Sequence, residues 1–206
     1  MRGTAWTRLL GLDDPERLLN SLAQELGFGE PTPADARTRR TLGVPDDLAS
    51  IRLAAGPGTT RLIAVIGRPD VPGRDQVGRL AGALSRRAPH LLWLLVLVVP
   101  ERVELVVATW QAGSTPPRVA ALFVDRRSVL SSEEDTLTSL AASLNGSDLE
   151  IHAQWMELLG REAISRRFFI TLQRLVGRIG DEATGNASPS VRREIALLYL
   201  SRLLFL

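Results

Sequence analysis

The chain has 206 residues, enough for one sizeable core with a small appendage, and its 45 % hydrophobic and 23 % charged content is that of an ordinary globular protein. All 25 basic residues are arginine and the formal net charge is +2, too small an excess to imply nucleic acid by itself. The chain has no cysteine, which excludes disulfides, thiolate catalysis and cysteine-ligated metals. Arginine stays charged at any working pH and forks onto carboxylates or phosphates, whereas lysine chemistry has no residue to act through. The first residues lack an apolar run of the kind a secretory signal needs, and Leu91 to Val99 falls short of the ~18 to 20 residues of a membrane span. The expectation is a soluble, cytoplasmic protein without a membrane partner.

Asp13-Asp14-Pro15-Glu16 reads as a helix start, with an acidic cap, proline in the first turn and a further acid near the positive end. Leu18, Leu19, Leu22 and Leu26 follow at helical spacing, and Gly27 or Gly29 ends the run. Residues 30 to 47 hold three prolines and the cluster Arg37, Arg39 and Arg40, and are expected to form a loop. Ile51 to Ala55 and Arg61 to Gly67 predict two strands joined through Gly56-Pro57-Gly58-Thr59-Thr60. That turn lacks both the glycine spacing and the lysine of a nucleotide-binding loop. Arg74 to Arg87 predicts a helix, with Val77, Leu80, Ala81 and Leu84 on one side.

Leu91 to Val99 is a nearly continuous apolar run between two prolines, the pattern of a strand buried on both faces. Val103 to Trp110 follows a short Pro-Glu-Arg connection and should pair with it as an antiparallel hairpin. Arg118 to Asp125 is one more strand. Ser132, followed by three acids, should cap a short helix that Asn145-Gly146 ends. From His152 to about Ile179 runs the longest helical pattern. On a wheel of roughly 100° per residue, Arg174 and Arg178 fall within about 20° of Arg167, and Phe168, Phe169, Leu172, Leu175, Val176 and Ile179 gather elsewhere. Ser188-Pro189 caps a last helix that closes on Leu203-Leu204-Phe205-Leu206, an apolar ending that predicts a longer natural polypeptide. The expected fold is α+β: a mixed sheet with flanking helices over residues 1–148, then a helical tail over 149–206.

A magnesium-dependent nuclease of the PD-(D/E)xK type would fit a core of this size. It needs two carboxylates for the metal and a lysine to position water. Pro69-Asp70 supplies the dipeptide, and Glu101 or Glu104 could supply the second acid. The lysine position falls on Val103 or Val106, which cannot orient water. Asp70 and Glu104 are therefore weak catalytic candidates, and any core of this type is expected to be degenerate. His90 and His152, far apart and without cysteines, make no zinc signature, and no serine sits in G-x-S-x-G. Trp93, Trp110 and Trp155 could stack on bases, although the first two lie in apolar strands that suit a core.

Two segments carry a resemblance. His152-Ala-Gln-Trp-Met-Glu-Leu-Leu-Gly-Arg-Glu-Ala-Ile-Ser-Arg-Arg-Phe-Phe resembles a motif that precedes the methyltransferase domain in large single-chain restriction–modification enzymes and their phage-defence relatives. Arg192-Arg-Glu-Ile-Ala-Leu-Leu-Tyr-Leu-Ser-Arg-Leu-Leu-Phe-Leu resembles the helix that follows it there. The chain has neither the F-x-G-x-G loop for S-adenosylmethionine nor the N-P-P-[YF] motif of an adenine methyltransferase. The resemblance thus implies a non-catalytic, vestigial-nuclease N-terminal domain of a DNA-modification enzyme, its tail leading toward a methyltransferase domain. S-adenosylmethionine would belong to that parent, and magnesium only to an active nuclease. Arg161, Arg166, Arg167, Arg174 and Arg178 become candidate contacts to DNA phosphate or to the neighbouring domain. An active nuclease and a protein-binding scaffold working through the apolar last helix are the alternative expectations.

Overall fold

The structure, a computed structural model, describes residues 5–44, 48, 50–67, 73–109, 118–183 and 187–204; the side chains at 73–76, 85, 162–170 and 204 lie outside the description. The chain divides into two units, Met1–Glu162 and Ala163–Leu206. The division falls within one helix, α6 (Asp148–Glu182).

Six strands form one sheet in sequence order: β1 (Thr32–Pro33), β2 (Ser50–Ala55), β3 (Thr60–Ile66), β4 (Leu92–Val98), β5 (Arg102–Ala108) and β6 (Val119–Asp125). Every neighbouring pair is antiparallel except β3 and β4, which run parallel because α4 (Gly73–Arg87) intervenes between them. This is the mixed sheet with flanking helices expected of an α+β chain. The apolar run at Leu92–Val98 occupies the middle of the sheet and is buried at every position, with Leu94 opposite Val107 and Val98 opposite Val103 in the predicted hairpin. Each such Leu or Val contributes about 1.5–3 kcal/mol by leaving water, so β4 is the strand on which the others align.

The period of two sorts side chains onto two cores. Leu62, Leu94, Val96, Leu105 and Leu122 meet α1 (Ala5–Leu10), α2 (Pro15–Glu25), α5 (Ser131–Ala142) and the start of α6. Ile63, Val65, Leu95, Leu97 and Val106 meet α3 (Ala36–Leu42) and α4 on the opposite face. The first unit is therefore a sheet between two helical layers.

The stretch 30–47 is not wholly a loop. Asp35 accepts a hydrogen bond from the Thr38 amide, α3 follows, and Gly43 closes it at φ +67°. Pro31 and Pro33 precede that cap and Pro45 follows Gly43, so no proline falls inside the helix, and Leu42 finds a core to enter. The helix start at Asp14-Pro15 is as expected, the Asp14 carboxylate accepting from the Glu16 amide at 2.9 Å. Helix α5 is capped differently from the expectation. It starts at Ser131, and Glu133 reaches back to accept from the Leu130 amide at 2.9 Å. Helix α6 begins one turn before His152, where Ser147 and Glu150 close a capping box: the Ser147 amide donates to Glu150 at 2.8 Å and the Glu150 amide to Ser147 Oγ at 3.4 Å.

In the second unit the later part of α6 is followed by α7 (Pro189–Leu204). The two helices approach at Gly180, where an added Cβ would stand 2.7 Å from Arg193 Cγ. Arg193 pairs with Asp181 at 3.2 Å, Arg192 donates to the Ala183 carbonyl at 2.7 Å, and Ala196, one turn further along α7, is buried.

Candidate functional site

Of the carboxylates considered for metal chemistry, Asp70 lies outside the described residues. Glu104, in the middle of the sheet between Leu97 and Phe123, is 1 % exposed, and its Oε1 accepts from Arg102 Nε at 2.5 Å. An arginine that neutralises a buried acid occupies the place a divalent cation would take, so a metal would have to displace it. Val103 and Val106, where a nuclease lysine would fall, are both buried apolar residues. Among the described residues no three acids or histidines gather as metal ligands.

The α6 arginines are presented differently. Arg161, Arg174 and Arg178 are all exposed. Arg161 pairs with Glu157 one turn earlier, and Arg178 Nε stands 3.9 Å from Glu182. Such solvated i,i+4 pairs stabilise a helix by only about 0.3–0.5 kcal/mol, so both guanidinium groups remain able to exchange a carboxylate for a phosphate. Arg174 makes no ion pair among the described residues and shares a face with Arg178, roughly 6 Å further along the axis. Arg166 and Arg167 lie in the same helix, with side chains outside the description. Arg161 belongs to the first unit, Arg174 and Arg178 to the second.

Several residues with chemical potential turn out to hold the fold. Trp155 is fully buried, donates from Nε1 to Ser143 Oγ at 2.8 Å, and lies 6.3 Å from the Phe28 ring. Trp93 is buried against the α3–α4 layer. Neither offers a face to a base, and Trp110 lies outside the described residues. His152 is half-buried with Nε2 at 3.2 Å from the Ala108 carbonyl, and burial pushes its pKa below the usual histidine value. In the arginine cluster, Arg39 donates to the Leu48 carbonyl at 2.6 Å and Arg40 to the Ala36 carbonyl at 3.2 Å.

Arg126 escaped the sequence reading because nothing near it is periodic. Its guanidinium donates to the carbonyls of Leu10, Leu12, Val99 and Pro100, tying the α1–α2 connection to the β4–β5 turn. Beside it, at the carboxyl ends of β3 and β4, opens a cleft of about 380 Å³ with Ile66, Val98 and Val99 as apolar walls and Asp13 and Arg127 among its polar groups. Carboxyl ends of parallel strands are where open sheets receive ligands. Here, however, the parallel pair is single and the Arg126 donors are already taken up by backbone oxygens.

Comparison with protein-family models, with curated proteins and with solved structures finds no match to this chain.

Proposed function

We propose that this chain is a non-catalytic domain of a DNA restriction–modification methyltransferase, a vestigial relative of a nuclease whose helical tail makes DNA-backbone or interdomain contacts. The observation that carries the reading is the exposure of Arg174 and Arg178 on one face of α6, the first without an ion-pair partner among the described residues and the second only loosely paired. The tail as a whole is basic: residues 163–206 hold seven arginines against three acids, whereas residues 1–162 hold 18 against 20. An anionic polymer would be drawn to the smaller unit. The resemblance of His152–Phe169 and Arg192–Leu206 supplies the choice of DNA modification over other polyanion chemistry. It also assigns S-adenosylmethionine to the adjoining methyltransferase domain.

The active-nuclease alternative would need Glu104 freed from Arg102 and a second acid such as Asp70. Magnesium-dependent cleavage abolished by Asp70→Ala would restore that alternative.

The test of the main reading is fluorescence anisotropy with duplex DNA across a salt series. Phosphate contacts make the logarithm of affinity fall linearly with the logarithm of salt, with a slope of about −0.9 per contact. The double variant Arg174→Gln/Arg178→Gln should weaken binding on every sequence and reduce that slope by about 2. Salt-insensitive binding, or none, would overturn the DNA contact and leave the interdomain role.

A further inference from the structure

Helix α7 is apolar around most of its circumference yet hardly covered. Val191, Ile195, Leu197, Leu198, Tyr199 and Leu203 are between 43 % and 71 % exposed, and among the described side chains of this helix the buried one is Ala196. A helix that is hydrophobic all round belongs between partners, and a unit of two helices is too small to cover itself. At roughly 100° per residue, Val191, Ile195, Leu198 and Tyr199 fall within about 100° of arc, and the centre of that arc stands roughly 100° from the buried Ala196, one turn on from the contact of Arg193 with Gly180 of α6. That is the angle at which a helix in a four-helix bundle meets its second neighbour. Helix α6 contributes to the same deficit, with Leu172, Leu175 and Val176 half-buried and Ile179 37 % exposed.

We propose that residues 163–206 pair two copies of this chain through an antiparallel, two-fold contact between their α7 helices, closing two helical hairpins into a four-helix bundle. The four residues of the open α7 stripe expose roughly 450 Å² of apolar residue surface per copy, within the range of the largest patch on a monomer. Two such faces, with the partly exposed Leu172, Leu175, Val176 and Ile179 of α6 closing the bundle beside them, reach the roughly 1,000 Å² that a specific interface requires. Charge selects the direction. Arg202 lies on the stripe, and Glu194 flanks it eight residues earlier. A two-fold axis at Leu198 sets each Arg202 beside the second copy's Glu194, whereas a parallel pairing would set arginine against arginine. This inference rests on neither the DNA reading nor the family resemblance.

The full chain, examined by sedimentation equilibrium over the micromolar range, should show a concentration-dependent dimer. Arg202→Glu and Glu194→Arg should each weaken association by about tenfold, and the two together should restore it to within a few-fold, as opposite charges in register require. Far-UV circular dichroism unchanged from the parent separates loss of association from loss of the helix. Because the chain has no cysteine, Leu198→Cys supplies a single thiol on the proposed axis and should give a disulfide-linked dimer under mild oxidation. A chain that stays monomeric throughout overturns the proposal and leaves the stripe to its own first unit or to a different protein. A charge-swap pair no better than its singles overturns the antiparallel arrangement.

Discussion

At the scale of single residues, Trp155 shows how a side chain that could meet a ligand becomes part of the core. Ile151, Trp155 and Leu159 recur every four residues along α6, and all three are at most 1 % exposed. Trp155→Ala would empty the space beside Phe28 and leave Ser143 Oγ without its indole donor. The expected loss is about 3–5 kcal/mol, read as a lower urea midpoint. A loss under 1 kcal/mol would mean the indole is not packed as described. His152, three residues before it, gives a pH signature. Its folded pKa lies below the usual 6.5 because burial disfavours the charged ring, so the unfolded chain takes up the proton first. Its stability contribution is therefore complete above pH 6.5 and declines as the pH falls from there toward the folded value. Asp35 and Glu150, lowered by hydrogen bonds from Thr38 and Ser147, keep their contributions until the pH falls through the carboxylate range. Melting temperatures measured at stepped pH should begin to drop near 6.5, and His152→Gln should flatten that first decline. An identical decline in the variant would assign it to another group.

At the scale of elements, helix ends were the most readable features where the capping residue sits directly before the apolar run. Asp14 is such a case, accepting from both the Glu16 and Arg17 amides. Asp14→Ala should cost about 1 kcal/mol in chemical denaturation, the usual value of a lost N-cap, and Asp14→Asn far less. Equal losses in the two variants would point to the charge rather than the hydrogen bond. Elements that were missed have an equally local reason. Helix α3 is seven residues long with Leu42 as its buried residue, so it carries no periodic signal. The first turn of α6 carries no apolar signal because Leu149, inside the Ser147–Glu150 box, is 69 % exposed and does not announce the apolar face. Strand β1 has two residues, both exposed, and exists because β2 offers an edge.

At the scale of the whole molecule, charge and apolar surface are distributed unevenly between the units. The sheet unit encloses its apolar residues in two layers, while the smaller unit concentrates both the excess arginine and the exposed apolar helix. A polyelectrolyte contact through Arg174 and Arg178 and a self-association through Ile195 and Leu198 make separable demands. Salt should weaken the first steeply and the second little, because burial of apolar surface does not depend on counterions. The charge-swap pair should accordingly leave DNA affinity per dimer unchanged. The glutamine substitutions on α6 should leave the dimer intact.

The sequence by itself determined what depends on neighbours a few residues apart. This covers the α+β class, the buried central strand at Leu92–Val98, the β4–β5 hairpin and the cap at Asp14. Periodicity and capping are local, so they survive without the fold. Only the tertiary structure decided where separate segments meet. It buried Glu104 beside Arg102 inside the sheet, placed Trp155 against Phe28 rather than on a surface, and used Arg126 to bind four distant carbonyls. It also left α7 uncovered, which composition could not reveal, because an apolar helix reads the same whether or not another surface lies against it.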